Sequence, residues 1–250
     1  MVALSDWVLS LGKLSFVLAG LAASITLLRT APSGAHRWPH VLAAAAILVG
    51  GFGLMLYPLA RTLPDSLGGH LLWITGEIFM RTGIALLGVF LWRVFRPRSG
   101  MALAGALGCA ALLIATFVWD LIAQPQWWSY DAACASAYMA QLAFALPFVW
   151  SAVETALEWR RSRKRVALGL ADREVSHRFL LWCLATSAFV AICLLYNVIA
   201  WFGANGQLEL AALARFVRGL LYFVIVGALW LGLTPPAFYR RRLVANPPPA

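Results

Sequence analysis

Charge is scarce in this chain. Asp, Glu, Lys and Arg together make up 12% of its 250 residues, about half the share of an ordinary soluble domain. A water-exposed globule of this length needs far more polar surface, so that class is excluded. Histidine is equally sparse. His36, His40, His70 and His177 all fall at or beyond the ends of apolar runs, so no paired axial ligands for a haem between helices exist. The four cysteines, Cys109, Cys134, Cys183 and Cys193, show no C-x-x-C spacing and make no disulfide framework; they read as small packing residues. Neither a serine-hydrolase elbow nor an H-E-x-x-H zinc helix occurs, and no metal site is expected. The last apolar run lacks the lysine a retinal protein needs. No Lys or Arg precedes the first run, so a cleaved signal peptide is not expected.

Apolar length, by contrast, is abundant. Hydrophobic residues make up 62% of the chain. They gather into seven runs, approximately Trp7–Leu28, His40–Leu59, Leu71–Val94, Met101–Ile122, Ala135–Leu157, Phe179–Trp201 and Leu208–Leu233. Each is close to or beyond the ~20 residues a helix needs to cross a bilayer core. Spanning backbone must satisfy its own hydrogen bonds, so unbroken runs of this length imply helices; barrel strands are short and alternating. The expected fold is an all-α integral membrane protein, a bundle of seven transmembrane helices. Residues 1–245 form one domain and Asn246–Ala250, with three prolines, a disordered tail. No soluble domain is expected at either end.

The basic residues fix an expected orientation. The net charge is +10, and fifteen of twenty Lys and Arg lie in alternate connections. These are Arg29 and Arg37, then Arg93, Arg96 and Arg98, then a dense stretch from Arg160 to Arg178, then Arg240–Arg242. The opposite connections hold only Arg61, beside Asp6, Asp65 and Asp131. By the positive-inside rule the N-terminus is outside and the C-terminus cytoplasmic. The twelve tryptophans fall into two groups of six near the two ends of the runs, as indole's preference for the headgroup boundary requires. The basic excess is thus a topology signal, with attraction to anionic lipid; nucleic acid is not an expected partner. A multi-pass protein of a bacterial-type plasma (inner) membrane is the reading. The stretch from Arg160 to Arg178, taken as the longest cytoplasmic loop, is the surface for a protein partner. The segment Gln124–Ser136 (QPQWWSYDAACAS) is the other notable loop. Its Pro125-Gln126 pair falls outside any helix, so a PQ-type carrier signature is absent.

Six ionisable side chains lie inside the runs, clear of their cytoplasmic ends: Lys13, Glu77, Arg81, Asp120, Arg215 and Arg218. A charge at a helix centre costs ~2.5–3.5 kcal/mol on insertion scales, so each must face the bundle interior. Glu77 and Arg81 are spaced i,i+4 and share a face. Cys109, Thr116 and Asp120 make a polar stripe on helix four, and Thr186, Cys193 and Asn197 make another on helix six. Glu154 and Glu158 read as a solvated interfacial pair beside Arg161. Gly50, Gly51 and Gly53 read as points of close helix contact.

Four buried cations against two anions leave an excess that water, loss of the lysine proton or an anionic ligand must offset. Guanidinium suits carboxylate and phosphate. The expected ligand site is therefore Lys13, Glu77, Arg81, Asp120, Asn197, Arg215 and Arg218, with Arg81, Arg215 and Arg218 converging on one cavity. The competing reading is a solvated network that only orders the helices. The leading functional expectation is a receptor-like protein binding a small anionic or amphipathic molecule, or a lipid, from the outer half. A small carrier or channel is the alternative, and a structural subunit of a membrane complex the next. No catalytic motif and no cofactor motif is present, so enzymatic activity is not the leading reading.

Overall fold

A computed structural model describes residues 2–63, 66–123, 134–233 and 239. Within them are seven helices, each long and apolar enough to cross a membrane, and no strand. They are α1 (Val2–Arg29), α2 (Trp38–Arg61), α3 (Leu67–Phe95), α4 (Gly100–Ala123), α5 (Ala135–Ala167), α6 (Arg173–Ala204) and α7 (Leu208–Leu233). A short 3-10 turn, Gly34–Arg37, leads into α2, which carries Pro39 in its first turn, where the missing N–H goes unneeded. Ser66 caps α3, its Oγ accepting from Gly69 N at 3.0 Å. The tail Asn246–Ala250 and most of the Gln124–Ser136 loop lie outside the described residues.

The basic stretch from Arg160 to Arg178 is mostly helical, which corrects the expected long loop. α5 runs on to Ala167 and α6 begins at Arg173, because arginine, lysine and alanine are good helix formers once the chain has left the apolar zone. Gly169, at φ 70°, ends α5 in the left-handed conformation. Leu170 N bonds back to Arg165 O at 2.8 Å.

The helices are arranged as a ring with one outsider. α1, α2, α3, α5, α6 and α7 each pack against the next, and α7 packs back on α1. Among the described elements α4 touches only α3 and α5, and its apolar span is the least buried of the seven. Sequential helices run antiparallel: Ser24 Oγ donates to Ala44 O at 3.2 Å across α1–α2, and Phe148 stacks on Phe189 at 4.5 Å across α5–α6. α1 and α7 run parallel, since Asp6 lies near Arg215 while Phe16 lies near Tyr222. One end of the bundle therefore holds the starts of α1, α3, α5 and α7, and is called here the N-terminal end. The other, holding Arg29, Arg96 and the α5–α6 turn, is the basic end.

Two seams of the ring are closed by glycine. A Cβ on Gly83 of α3 would sit 2.5 Å from Gly50 N of α2, and one on Gly12 of α1 would sit 2.7 Å from Gly219 O of α7. Only residues without a side chain allow such backbone approach. Across the ring no backbones meet, and the gap is bridged by rings instead. Phe16 meets Phe189 edge-on at 5.2 Å. Helical rise puts this aromatic layer about 21 Å from the N-terminal end, near mid-depth.

Candidate functional site

The intramembrane charges fall into two separate groups. The first is closed. Arg81 Nε donates to Glu77 Oε2 at 2.9 Å, one turn earlier on α3. Its Nη1 donates to Leu113 O at 2.7 Å and to Thr116 Oγ1 at 2.8 Å. Its Nη2 reaches Asp120 Oδ2 at 3.4 Å. The guanidinium also lies over the rings of Phe117 and Phe144, 5.1 and 5.0 Å from their centroids, which adds cation–π attraction where water is excluded. Glu77 uses its other oxygen to accept from Tyr57 of α2 at 2.8 Å. Glu77 and Arg81 are both buried. The polar stripe Thr116–Asp120 of α4 is therefore the anchor that fastens the outlying helix to the ring.

The second group lines a cavity of about 1260 Å³ inside the ring, larger than the ~300–1,000 Å³ of common small-molecule sites. Its described charged lining is Lys13, Arg61, Arg215 and Arg218 against Asp6. Arg215 Nε lies 3.8 Å from Asp6 Oδ1, an ion pair beyond hydrogen-bond reach. Arg218 lies over the Tyr196 ring at 5.1 Å, with the buried Tyr222 alongside. The Nε atoms of Arg215 and Arg218 are buried and without a hydrogen-bond partner. Lys13 has Arg218 and Arg61 as its charged neighbours. Helical rise puts Arg215 and Arg218 about 10 and 15 Å below Leu208, and Lys13 about 10 Å below Asp6. The cationic layer thus lies between the N-terminal end and the aromatic layer. Deeper, the lining is apolar, with Ile47, Leu87, Trp182 and Leu229.

This arrangement corrects the expected convergence of Arg81 with Arg215 and Arg218. Arg81 does not line the cavity; it is turned toward α4, because the carboxylates and the Thr116 hydroxyl are there. Glu77 and Asp120 go with it. Both anions of the expected tally are thereby spent on one cation. Asn197 is also absent from the cavity lining, and its Oδ1 is buried without a partner. On α6 the lining instead follows Thr186, Phe189, Cys193 and Tyr196, a helical i, i+3, i+7, i+10 stripe. Lys13, Arg215 and Arg218 do share the cavity. Asp6 and Arg61 were missed as part of it because both read as residues of the aqueous connections; Asp6, Ser10 and Lys13 form an i, i+4, i+7 stripe that could have revealed the first.

A further lock was misread from sequence. Glu154 is buried rather than solvated. It accepts from Arg96 Nε at 2.9 Å and Trp150 Nε1 at 3.3 Å, joining α5 to the end of α3. That hydrogen bond and the carboxylate charge hold Arg96 above its ordinary pKa. Glu158 pairs instead with Arg161 on the exposed surface. No group of three His, Cys, Asp or Glu among the described residues could hold a metal ion. Comparison of the chain with protein-family models, curated proteins and solved structures gives no match.

Proposed function

We propose that this multi-pass membrane protein is a receptor-like binding protein that takes a small anionic or amphipathic ligand into the ring cavity. The observation that carries this is the imbalance among the described residues of the cavity wall, where Lys13, Arg215 and Arg218 stand against the carboxylate of Asp6. Two guanidinium Nε donors there are buried and make no hydrogen bond, that of Arg215 having only the 3.8 Å ion pair with Asp6. A carboxylate or phosphate 4 Å from one guanidinium gains roughly 4 kcal/mol at an effective dielectric constant of 20. In this reading Lys13, Arg61, Arg215 and Arg218 hold the anion, and Tyr196 and Tyr222 fix the face of Arg218. Glu77, Arg81 and Asp120 hold the scaffold.

The charge asymmetry supports an orientation with the cavity's cationic layer in the outer half and the C-terminus in the cytoplasm of a plasma membrane. The helical extensions of α5 and α6 beyond the apolar zone, with the basic turn between them, supply a surface for a cytoplasmic partner. The aromatic layer of Phe16, Phe148 and Phe189 crosses the interior below the cations.

The test is a thermal-shift screen of carboxylates, phosphates and anionic lipids on the purified protein in neutral detergent. A true ligand at a hundredfold excess over its Kd stabilises by ~2.7 kcal/mol. The shift should disappear in Arg218→Gln and persist in Arg98→Gln, a surface change of the same type. Absence of any anion-dependent shift would overturn the proposal.

A further inference from the structure

The ring is closed unevenly, and the uneven seam says how a ligand reaches the cations. α1 and α2 are drawn together toward the basic end. There Ser24 bonds to Ala44 O at 3.2 Å, and a Cβ on Gly20 would lie 2.9 Å from Ile47 Cγ2. Toward the N-terminal end the facing positions of the same two helices line the cavity while remaining exposed. Ser10 and Leu14 of α1 do so, Leu14 at 44% exposure. On α2, Pro58 does so, with Met55 half-buried beside it. A residue that lines a cavity and is also exposed on the outer surface marks an opening in the wall. By helical rise Ser10 and Leu14 lie about 12 and 18 Å from the start of α1, inside the zone that hydrocarbon occupies. Pro58 has no N–H and so leaves the Leu54 carbonyl without its helical donor, loosening α2 at this seam. The neighbouring α1–α7 and α2–α3 seams, by contrast, are held shut at Gly12–Gly219 and Gly50–Gly83.

We infer that the cavity's ligand is a membrane-resident amphiphile, an anionic phosphate or carboxylate head on an alkyl or isoprenoid chain, admitted sideways between α1 and α2. This rests on the anion-binding reading above and adds the source and the route. A free anion cannot take this lateral seam, because charge at that depth is strongly disfavoured. A head carried by a chain already in the bilayer needs only to slide inward until it meets Lys13, Arg215 and Arg218. Its chain then lies in the seam beside Leu14 and Met55, where apolar side chains meet lipid. Exposed Gly203, Ala204 and Leu208 at the N-terminal end of the cavity keep the head within reach of water. Headgroup and free phosphate share one chemistry, so the experiment must separate them.

The full chain is placed in phosphatidylcholine nanodiscs and photolabelled with an alkyl phosphate that carries a diazirine near the middle of its chain, and the labelled peptides are mapped. Label is expected on the Ser10–Leu14 and Met55–Pro58 segments. Hexadecyl phosphate should compete for it, hexadecanol should not, and inorganic phosphate should be at least about tenfold weaker, since it lacks the chain. Labelling should fall by about tenfold or more in Arg218→Gln and in Arg215→Gln, each checked for a monodisperse elution profile, as loss of a charged hydrogen bond implies. A second block, Leu14→Trp, should reduce the alkyl phosphate label while leaving the thermal shift by inorganic phosphate in place. If inorganic phosphate competes as well as hexadecyl phosphate, or label falls on Trp182 and Leu229, lateral entry is overturned while the anion cavity stands. If neither phosphate binds, both are overturned.

Discussion

Tyr57 donates to Glu77 Oε1 at 2.8 Å, and through that bond the two polar systems of the bundle touch. Tyr57 is on the cavity wall, whereas Glu77 belongs to the closed network that fastens α4. One phenol therefore separates a cationic space from a group in which two carboxylates surround one guanidinium. Without the Tyr57 hydroxyl, Glu77 Oε1 would lose this donor inside the bundle. Tyr57→Phe should then lower stability by ~1.5–3 kcal/mol, the usual worth of a hydrogen bond to a charged group. Chemical denaturation in mild detergent, followed by helical circular dichroism, measures it.

The Glu77–Arg81 pair gives a sharper expectation. Glu77→Gln leaves the buried guanidinium, among the described residues, with only Asp120 for countercharge, at 3.4 Å. Removing one partner of a buried pair typically costs ~3–5 kcal/mol, while replacing both by apolar groups costs much less. The double change Glu77→Gln with Arg81→Met should therefore melt at a higher temperature than Glu77→Gln alone. Simple additivity of the two losses in a double-mutant cycle would show that the pair does not interact.

Glycine substitutions separate the ring from the outlier. Gly83→Ala puts a methyl 2.5 Å from Gly50 N, a contact against backbone that only a shift of α2 relieves. A loss of ~1–3 kcal/mol is expected from such overpacking. Gly105 of α4 has nothing within 4 Å of the same position. Gly105→Ala should be neutral or stabilising by up to ~1 kcal/mol through helix propensity alone. Melting temperatures of the two variants in one detergent decide this.

At the basic end, Arg96 and Arg98 look alike in sequence and differ in the fold. Arg96 is the partner of the buried Glu154, whereas Arg98 forms no ion pair among the described residues. Arg96→Ala should thus lower the melting temperature clearly and Arg98→Ala scarcely, read by differential scanning fluorimetry on the same preparation. Equal effects would mean that the Glu154 contact contributes nothing beyond surface charge.

Hydropathy made the seven spans legible, because length and apolarity are properties of each segment alone. Which side chains share a helix face was also legible, as the Glu77–Arg81 spacing and the Thr116–Asp120 stripe demonstrate. The identity of the neighbour across each seam was not. α4 is fourth in sequence but stands outside the ring, so α3 meets both α4 and α5, and Arg81 could have turned to either side. Period alone could not choose α4 over the interior; the decision was made by where carboxylate and hydroxyl partners became available. Glu154 was misread for a related reason. Its sequence neighbours are basic and interfacial, while its real partner, Arg96, lies on a helix that reaches it only through the ring. The end of α5 and the start of α6 escaped hydropathy because those turns are polar yet helix-forming.

The cavity cations lead to a prediction whose sign distinguishes a binding site from a structural network. Lys13 is among like charges, with Arg218 and Arg61 as its charged neighbours, and it takes part in no ion pair among the described residues. In a network selected for stability, removing it should weaken the fold. In a site held ready for an anion, Lys13 is a strain that the ligand relieves, and stability is sacrificed for function. Lys13→Met keeps most of the side-chain volume and removes the charge. Without ligand it should therefore raise stability, by at most the ~2.5–3.5 kcal/mol that a charge costs at a helix centre. The same variant should show a smaller thermal shift with an anion that stabilises the parent protein. Both signs come from one pair of melting curves, with and without ligand. A ligand-free Lys13→Met that melts below the parent would mean the lysine is already satisfied, and the cavity would lose its strongest claim to an anion.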